Sequence, residues 1–223
     1  MQLKLQEIKM NLNGIELSCL DLPSSMTPYG TREVILKNEF KFDLFPIEDG
    51  SNYVEVGSHN GLLGFYAASL FPKANIHLFE CNPLMIKAIQ YGIIANELHN
   101  VTVYPFGLSS KNTVANFLIN PKNTGGSSLL AYDDNMLEIK ATLYDFETIL
   151  SVFKSIDYLK IDIEGSEFEI FSKLIKSESD FLERVKTLNL ELHDNIFPNL
   201  NLDRKGIKEF ISQFKNLNVI YQD

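Results

Sequence analysis

Short apolar runs alternate with longer amphipathic stretches from residue 51 onward. Tyr53-Val-Glu-Val56 is brief and β-branched and stops at Gly57, which predicts a strand and a turn. Leu62 to Phe71, rich in Leu, Ala and aromatics and closed by Pro72, predicts a helix. Asn75 to Glu80 reads as a second strand. Asn82-Pro83 then sets a capping side chain before a proline at the first helical position, and Met85, Ile89 and Ile93 share one face of that helix. Val101–Tyr104, Ile156–Ile163, Val185–Leu192 and Leu217–Tyr221 are further strands. Between them, Ser166 with Glu169 suggests a capping box ahead of the Phe168, Phe171 and Ile175 stripe. Ile207, Phe210, Ile211 and Phe214 mark a helix after Asp203.

This alternation predicts an α/β fold, with a mostly parallel central sheet flanked by helices. Residues 106–150 interrupt it with short strands at Val114–Ile119 and Leu137–Thr142, a Gly125-Gly-Ser-Ser128 loop and a short helix near Asp145–Phe153. Residues 1–50 carry Pro23, Pro28, Gly30, Pro46 and Gly50 and show no long period. They read as an irregular N-terminal arm or extension with a short helix or strand near Glu33–Asn38, leaving residues 51–223 as the principal domain.

The chain has 223 residues, 45% of them hydrophobic and 22% charged, which is globular composition. Its net charge of −9 disfavours nucleic acid, because a phosphate backbone selects basic surfaces. No apolar run approaches the ~18 residues of a membrane span. Residues 1–9 are too polar for a signal peptide, and Cys19 and Cys81 form neither a disulfide framework nor a zinc site. A cytoplasmic protein with two reduced thiols is expected.

In an open α/β sheet, ligands gather at the carboxyl ends of the strands. The first strand runs into Glu55-Val-Gly57-Ser-His-Asn-Gly61, where Gly57 permits a tight turn and close approach of a ligand. The second strand ends in Glu80, about 20 residues beyond Gly57, the spacing at which a carboxylate can accept both hydroxyls of a ribose. His59 stands where a G-x-G-x-x-G fingerprint needs its second glycine, and no P-loop motif occurs. This argues against a nicotinamide-dependent oxidoreductase. Glu55 beside the loop would repel pyrophosphate and favour an amine-bearing ligand.

Several blocks together resemble the FkbM-type S-adenosylmethionine-dependent methyltransferases: Glu55–Gly61, Phe79-Glu-Cys-Asn-Pro83, Gly107-Leu-Ser109, Gly126-Ser-Ser-Leu129, Thr142–Asp145, Leu159-Lys-Ile-Asp-Ile-Glu-Gly-Ser-Glu167 and Leu190-Glu-Leu-His193. The resemblance spans about residues 50–195, and the block from Lys160 to Glu167 is its most specific part. It implies a Rossmann-like class I methyltransferase fold with S-adenosyl-L-methionine as cofactor. It further implies that Glu55, Gly57 and Gly61 hold the amino acid end, that Glu80 holds the ribose and that Phe106, Gly107 and Leu108 line the adenine. Ser58, His59, Asn60, Cys81 and Asn82 complete the implied cofactor contacts. The implied reaction is methylation of a hydroxyl oxygen on a sugar, glycan or natural product. The family usually carries Asn at the position of His59 and commonly Pro at that of Cys81. Class I methyltransferases commonly end in an antiparallel strand pair, whereas one strand has room after Phe214. The far sheet edge could be missing, completed by the N-terminal arm, or completed by a second subunit in a homo-oligomer.

For catalysis, Asp162 and Glu164 follow the fourth strand, and Glu191 and His193 end the fifth, each pair two apart and expected on one face. Neighbouring carboxylates can activate a hydroxyl, hold a sugar or bind a divalent cation through oxygen. No metal is assigned. His193 or Asp162 is the expected base, with Glu164 and Glu191 holding the acceptor or orienting the base. The Gly125–Ser128 loop is a candidate lid over the acceptor. The rival reading is a non-catalytic module that keeps the cofactor or sugar pocket.

Overall fold

A computed structural model describes residues 4–131, 134–193 and 204–222. The N-terminal segment is not irregular. β1 (Gln6–Leu12) and β2 (Ile15–Asp21) pair antiparallel around Asn13-Gly14, both at positive φ (52° and 90°), so the two central residues suit a tight hairpin turn. Ile8, Met10 and Leu12 of β1, with Leu17 and Cys19 of β2, are buried at alternate positions. A single buried aliphatic side chain of this size contributes about 1.5–3 kcal/mol. The hairpin packs on two helices of the main body. α1 (Thr27–Leu36) follows, with Pro28 in its first turn, and so begins earlier than Glu33.

The main body alternates as the sequence predicts: β3 (Asn52–Val56), α2 (Leu62–Leu70), β4 (Asn75–Phe79), α3 (Pro83–Ala95) and β5 (Val101–Tyr104). A small three-stranded sheet interrupts it, formed by β6 (Gly107–Ser109), β7 (Thr113–Ile119) and β8 (Leu137–Asp145) in the order β6-β8-β7. α4 (Phe146–Leu150) is capped by Asp145, whose carboxylate accepts the Thr148 N–H at 3.0 Å. Then come β9 (Ile156–Ile161), α5 (Glu167–Lys176), β10 (Val185–Glu191), α6 (Arg204–Ile211) and β11 (Asn218–Gln222).

The central sheet has the order β5-β4-β3-β9-β10-β11 and every pairing is parallel. In order of strands within this sheet, that is 3-2-1-4-5-6, with its reversal between β3 and β9. β11 extends the sheet in parallel beside β10, and the N-terminal hairpin forms a separate sheet, so the arm does not complete the edge.

The two sheet faces differ in chemistry. Val54, Val56, Leu159, Ile161, Leu188 and Leu190 join one aliphatic core with residues of α5 and α6. The opposite face carries Tyr53, Ile76, Leu78 and Tyr158 against the hairpin and α2, and it also carries Glu55 and Lys160, which are register partners. Tyr53 and Tyr158 stack at 5.6 Å between ring centroids, and Tyr158 donates to the Phe40 carbonyl at 2.7 Å. The N-terminal segment is thereby tied to the polar side of the sheet.

Candidate functional site

The carboxyl ends of β3, β4 and β9 are stitched together by backbone. Gly57 and Ser58 both donate to the Phe79 carbonyl at 3.1 Å, and Asp162 donates to the Val56 carbonyl at 3.1 Å. A Cβ on Gly57 would lie 1.9 Å from the Asp162 carbonyl oxygen, and its φ is +83°. Only glycine satisfies both constraints. Glu80, almost fully buried, accepts the His59 N–H at 2.8 Å through one oxygen and the Asn82 N–H at 2.7 Å through the other. Its carboxylate therefore locks the glycine loop to the start of α3.

Between these strand ends and the N-terminal segment lies a cavity of about 240 Å³. Of the cofactor residues expected from the sequence, Glu55, Gly57, Ser58, His59, Asn60, Glu80, Cys81, Asn82, Gly107 and Leu108 line it. Gly61 is not in the lining; it stands at the N-terminus of α2 with φ +83°. Phe106 is not in the lining either. It packs edge-on against Phe79 and Tyr144 in an aromatic ladder, because apolar contact on both sides of its ring outweighs exposure to the cavity.

Two buried amides face an unmet demand. Asn60 and Asn82 each accept a helix-start N–H through Oδ1, from Leu62 at 3.2 Å and Leu84 at 3.0 Å. Their Nδ2 groups find no partner. A buried unpaired donor costs about 1–3 kcal/mol, so both belong to a wall that a ligand bearing acceptors would complete.

The charged groups fall into two sets. Burial pushes Glu55 up to about 7, against the pull of Lys160 and a hydrogen bond from the Tyr53 hydroxyl at 3.0 Å. Burial likewise pushes Glu80 up to about 7 despite its backbone donors. Both carboxyls become easier to ionise when a cation or hydroxyl donors arrive. In the second set, Lys160 pairs with Asp162 at 2.7 Å; burial opposes the lysine charge, but Asp162 and Glu55 hold its pKa above the ordinary value. Asp162 is held low by Lys160 and His193 in spite of burial. Burial and the neighbouring Asp162 raise Glu164 to about 8.

Asp162 and Glu164 do not continue β9, which ends at Ile161; Glu164 instead has φ +53° in the loop before α5. The turn still aims both at the cavity, along with Glu191. His193 does not line the cavity. It sits behind the carboxylates, with Nε2 at 3.5 Å from Glu164, 3.6 Å from Glu191 and 3.9 Å from Asp162, and Nδ1 at 3.2 Å from Glu167. Burial alone would lower its pKa, but Glu167 and Glu191 override that and push it up to about 11. The expected capping box is replaced. Ser166 makes no capping bond, and the fully buried Glu167 accepts the Ile163 and Gly165 N–H groups at 2.7 and 2.8 Å.

Two walls of the cavity, from the N-terminal segment and from Gln222, escape the sequence reading, and a third is the loop expected as a lid. Thr27, Thr31, Val34 and Phe40 come from the N-terminal segment. The Gly125–Ser128 loop is fastened rather than loose: Gly125 donates to Thr27 at 2.9 Å, and Thr124 Oγ1 lies 2.8 and 2.9 Å from the two oxygens of buried Asp21. His59 Nε2 meets the same hydroxyl at 2.8 Å. Thr124 has one proton to give, and it goes to the Asp21 carboxylate, so His59 donates. Burial lowers the His59 pKa, which agrees with a neutral ring. Gln222 at the end of β11 closes the far side.

Among the described residues, Asp162, Glu191 and His193 could each turn one ligand atom toward a common point. No described helix is long and apolar enough to cross a membrane.

Residues 55–218 match the family model described as the methyltransferase FkbM domain. A curated protein from Beauveria bassiana (strain ARSEF 2860), "Methyltransferase 1", is 24% identical over 169 residues, covering 65% of this chain and 66% of that protein. Just under two thirds of that relative's length is thus spanned. A crystal structure of precorrin-6y C5,15-methyltransferase from Geobacter metallireducens GS-15 aligns at 15% identity and a TM-score of 0.42, over 79% of this chain and 68% of that one.

Proposed function

Because the chain belongs to the FkbM methyltransferase domain family, we propose that it transfers a methyl group from S-adenosyl-L-methionine to a hydroxyl oxygen of a small-molecule or glycan acceptor in the cytoplasm. The observation that carries this reading is the cavity at the β3–β9 reversal. It joins two buried carboxyls at the first two strand ends to two amide donors without partners.

In this reading Glu55 receives the α-ammonium group, and Glu80, fixed by two backbone donors, has lone pairs left for a ribose diol. Asn60 and Asn82 supply donors to the cofactor's acceptor atoms. Gly107 and Leu108 form the apolar shelf for the base; a Cβ at Gly107 would meet Leu143 at 2.6 Å, so little more fits there. The cofactor supplies a methyl group already activated on a positively charged sulfur. The chain's task is therefore to orient the acceptor oxygen in line with that methyl, exclude water and receive a proton.

The proton falls to the carboxylates that face the cavity, Asp162, Glu164 and Glu191, and not to His193. That imidazole lies behind them and keeps its own proton between Glu167 and Glu191. It acts as a fixed positive charge that orients the three acids. Phe40, Leu63, Leu129 and the fastened Gly125 loop shield the chamber from solvent.

The test pairs calorimetric titration of S-adenosylhomocysteine with transfer of labelled methyl to a panel of hydroxylated acceptors. Glu80→Ala should weaken cofactor binding at least tenfold. Asp162→Asn should lower turnover with a smaller effect on affinity. Equal loss of binding in both variants would count against this division of labour, and binding without transfer to any acceptor would favour a non-catalytic module.

A further inference from the structure

The charges around the cavity are lopsided. Glu55, Glu80, Asp162, Glu164 and Glu191 line it, and Lys160 is the only lysine or arginine among the described residues that do. The Lys160 side chain is buried, yet its hydrogen bonding is incomplete. Asp162 takes one of its three N–H donors at 2.7 Å, and no other described residue accepts from it. Glu55 is its register partner on β3, so the two side chains leave the same face of strands about 4.8 Å apart. No direct ion pair joins them; Glu55 accepts instead from the Tyr53 hydroxyl at 3.0 Å. A carboxylate and an ammonium therefore stand side by side at the cavity, each with hydrogen-bonding capacity left.

We propose that Lys160 binds the α-carboxylate of the cofactor's amino acid head, so that Glu55 and Lys160 together form a subsite for a zwitterion. This rests on reading the cavity as a methyl-transfer chamber and adds to it a residue not yet given a ligand. An α-amino acid carries its two charges on one carbon, and adjacent strands present the two opposite charges in that arrangement. Elsewhere on the wall the carboxylate would meet Asp162, Glu164 and Glu191, which repel it. Asp162, on the other side of the ammonium, fixes where Lys160 stands and leaves its remaining donors for the ligand. Without Lys160 the head's negative charge would enter a chamber lined by five acids and no balancing lysine or arginine.

The experiment measures the affinity of three nucleosides by calorimetry. They are S-adenosylhomocysteine, its decarboxylated analogue, which keeps the ammonium, and its deaminated analogue, which keeps the carboxylate. The wild type should hold S-adenosylhomocysteine at least about tenfold tighter than the decarboxylated analogue, the lower end of the range for a hydrogen bond to a charged group. Lys160→Met keeps the length of the side chain and removes its charge. It should erase that preference, weaken the deaminated analogue by a similar factor, and hold the decarboxylated analogue at least as tightly as the wild type does. A lysine needed only for folding would lower all three affinities together. Lys160→Arg should restore part of the preference. Equal wild-type affinity for S-adenosylhomocysteine and the decarboxylated analogue overturns the subsite and leaves the methyl-transfer reading standing, and this comparison needs no variant. A Lys160→Met protein that keeps the preference also overturns it, placing the carboxylate on the backbone donors of the glycine loop. If none of the three nucleosides binds the wild type, the methyl-transfer reading falls and the subsite falls with it.

Discussion

Cofactor affinity should depend steeply on pH, for a reason contained in one buried carboxyl. Glu55 is 2% exposed, and burial raises it to about 7. A ligand ammonium beside it favours the ionised form, so binding must draw the group into that form. At pH 6 only about one molecule in eleven has Glu55 ionised, against about ten in eleven at pH 8. The corresponding affinity for S-adenosylhomocysteine should fall roughly tenfold from pH 8 to pH 6. Glu80 stands at about 7 for the same reason, and hydroxyl donors from a ribose also favour its ionised form. If both groups must ionise, the loss approaches roughly a hundredfold.

Calorimetry in two buffers of different ionisation enthalpy reads this directly, because binding at pH 6 should release close to one proton per group. Glu55→Gln separates the two carboxyls. It should weaken binding at pH 8 and leave only the roughly tenfold dependence that belongs to Glu80. A wild-type affinity that is flat between pH 6 and pH 8 would refute the reasoning. So would a Glu55→Gln variant that retains the whole dependence, since the titrating group would then lie elsewhere.

The ligand-free protein should show the opposite trend. A raised carboxyl contributes stability that is complete below its unfolded value of 4.5 and lost as pH rises through about 7, roughly 3 kcal/mol for Glu55 as an upper bound. The melting temperature of Glu55→Gln relative to wild type should therefore rise between pH 5 and pH 8, and a constant difference would contradict the assignment. Gly57→Ala forces a Cβ against the Asp162 carbonyl at positive φ and should cost more than about 2 kcal/mol in chemical denaturation. Thr124→Val strips the buried Asp21 carboxylate of its hydroxyl donor and releases His59, so it should cost about 1–3 kcal/mol. The same change should weaken S-adenosylhomocysteine binding, and an unaltered protein on both measures would show that the Gly125 loop needs no fastening.

The legible parts of the chain were those in which a local signal and the tertiary demand coincide. Asn82-Pro83 caps α3 as read, because an Asx side chain and a proline suit a helix start in any context. The glycine loop and Glu80 were legible through their spacing, which a βαβ unit fixes. Asn13-Gly14 between alternating apolar residues is a strong local hairpin signal, but Pro23, Pro28 and Gly30 soon after it break any longer period, so residues 1–50 read as irregular. The capping box failed for a different reason. Glu167 is recruited by two backbone donors and by His193, a demand set by β10, which no local window at residues 163–169 contains.

The same limit explains the one shift in chemical role. Two residues apart on a strand end, Glu191 and His193 read as a pair pointing at a substrate, with the imidazole as base. The sequence around His193 gives no sign of Asp162, Glu164 and Glu167, which reach it from a different strand end. Once four carboxylates surround one imidazole, the proton stays on nitrogen and the vacancy for a new proton moves to the carboxylates facing the cavity. His193→Gln should then change the pH profile of turnover by removing the charge that holds Asp162 low, without abolishing transfer as loss of the base itself would. Turnover of His193→Gln measured from pH 6 to pH 9 distinguishes the two roles. A displaced acid limb with substantial residual activity supports a fixed cation, and a uniform collapse at every pH returns the base to His193.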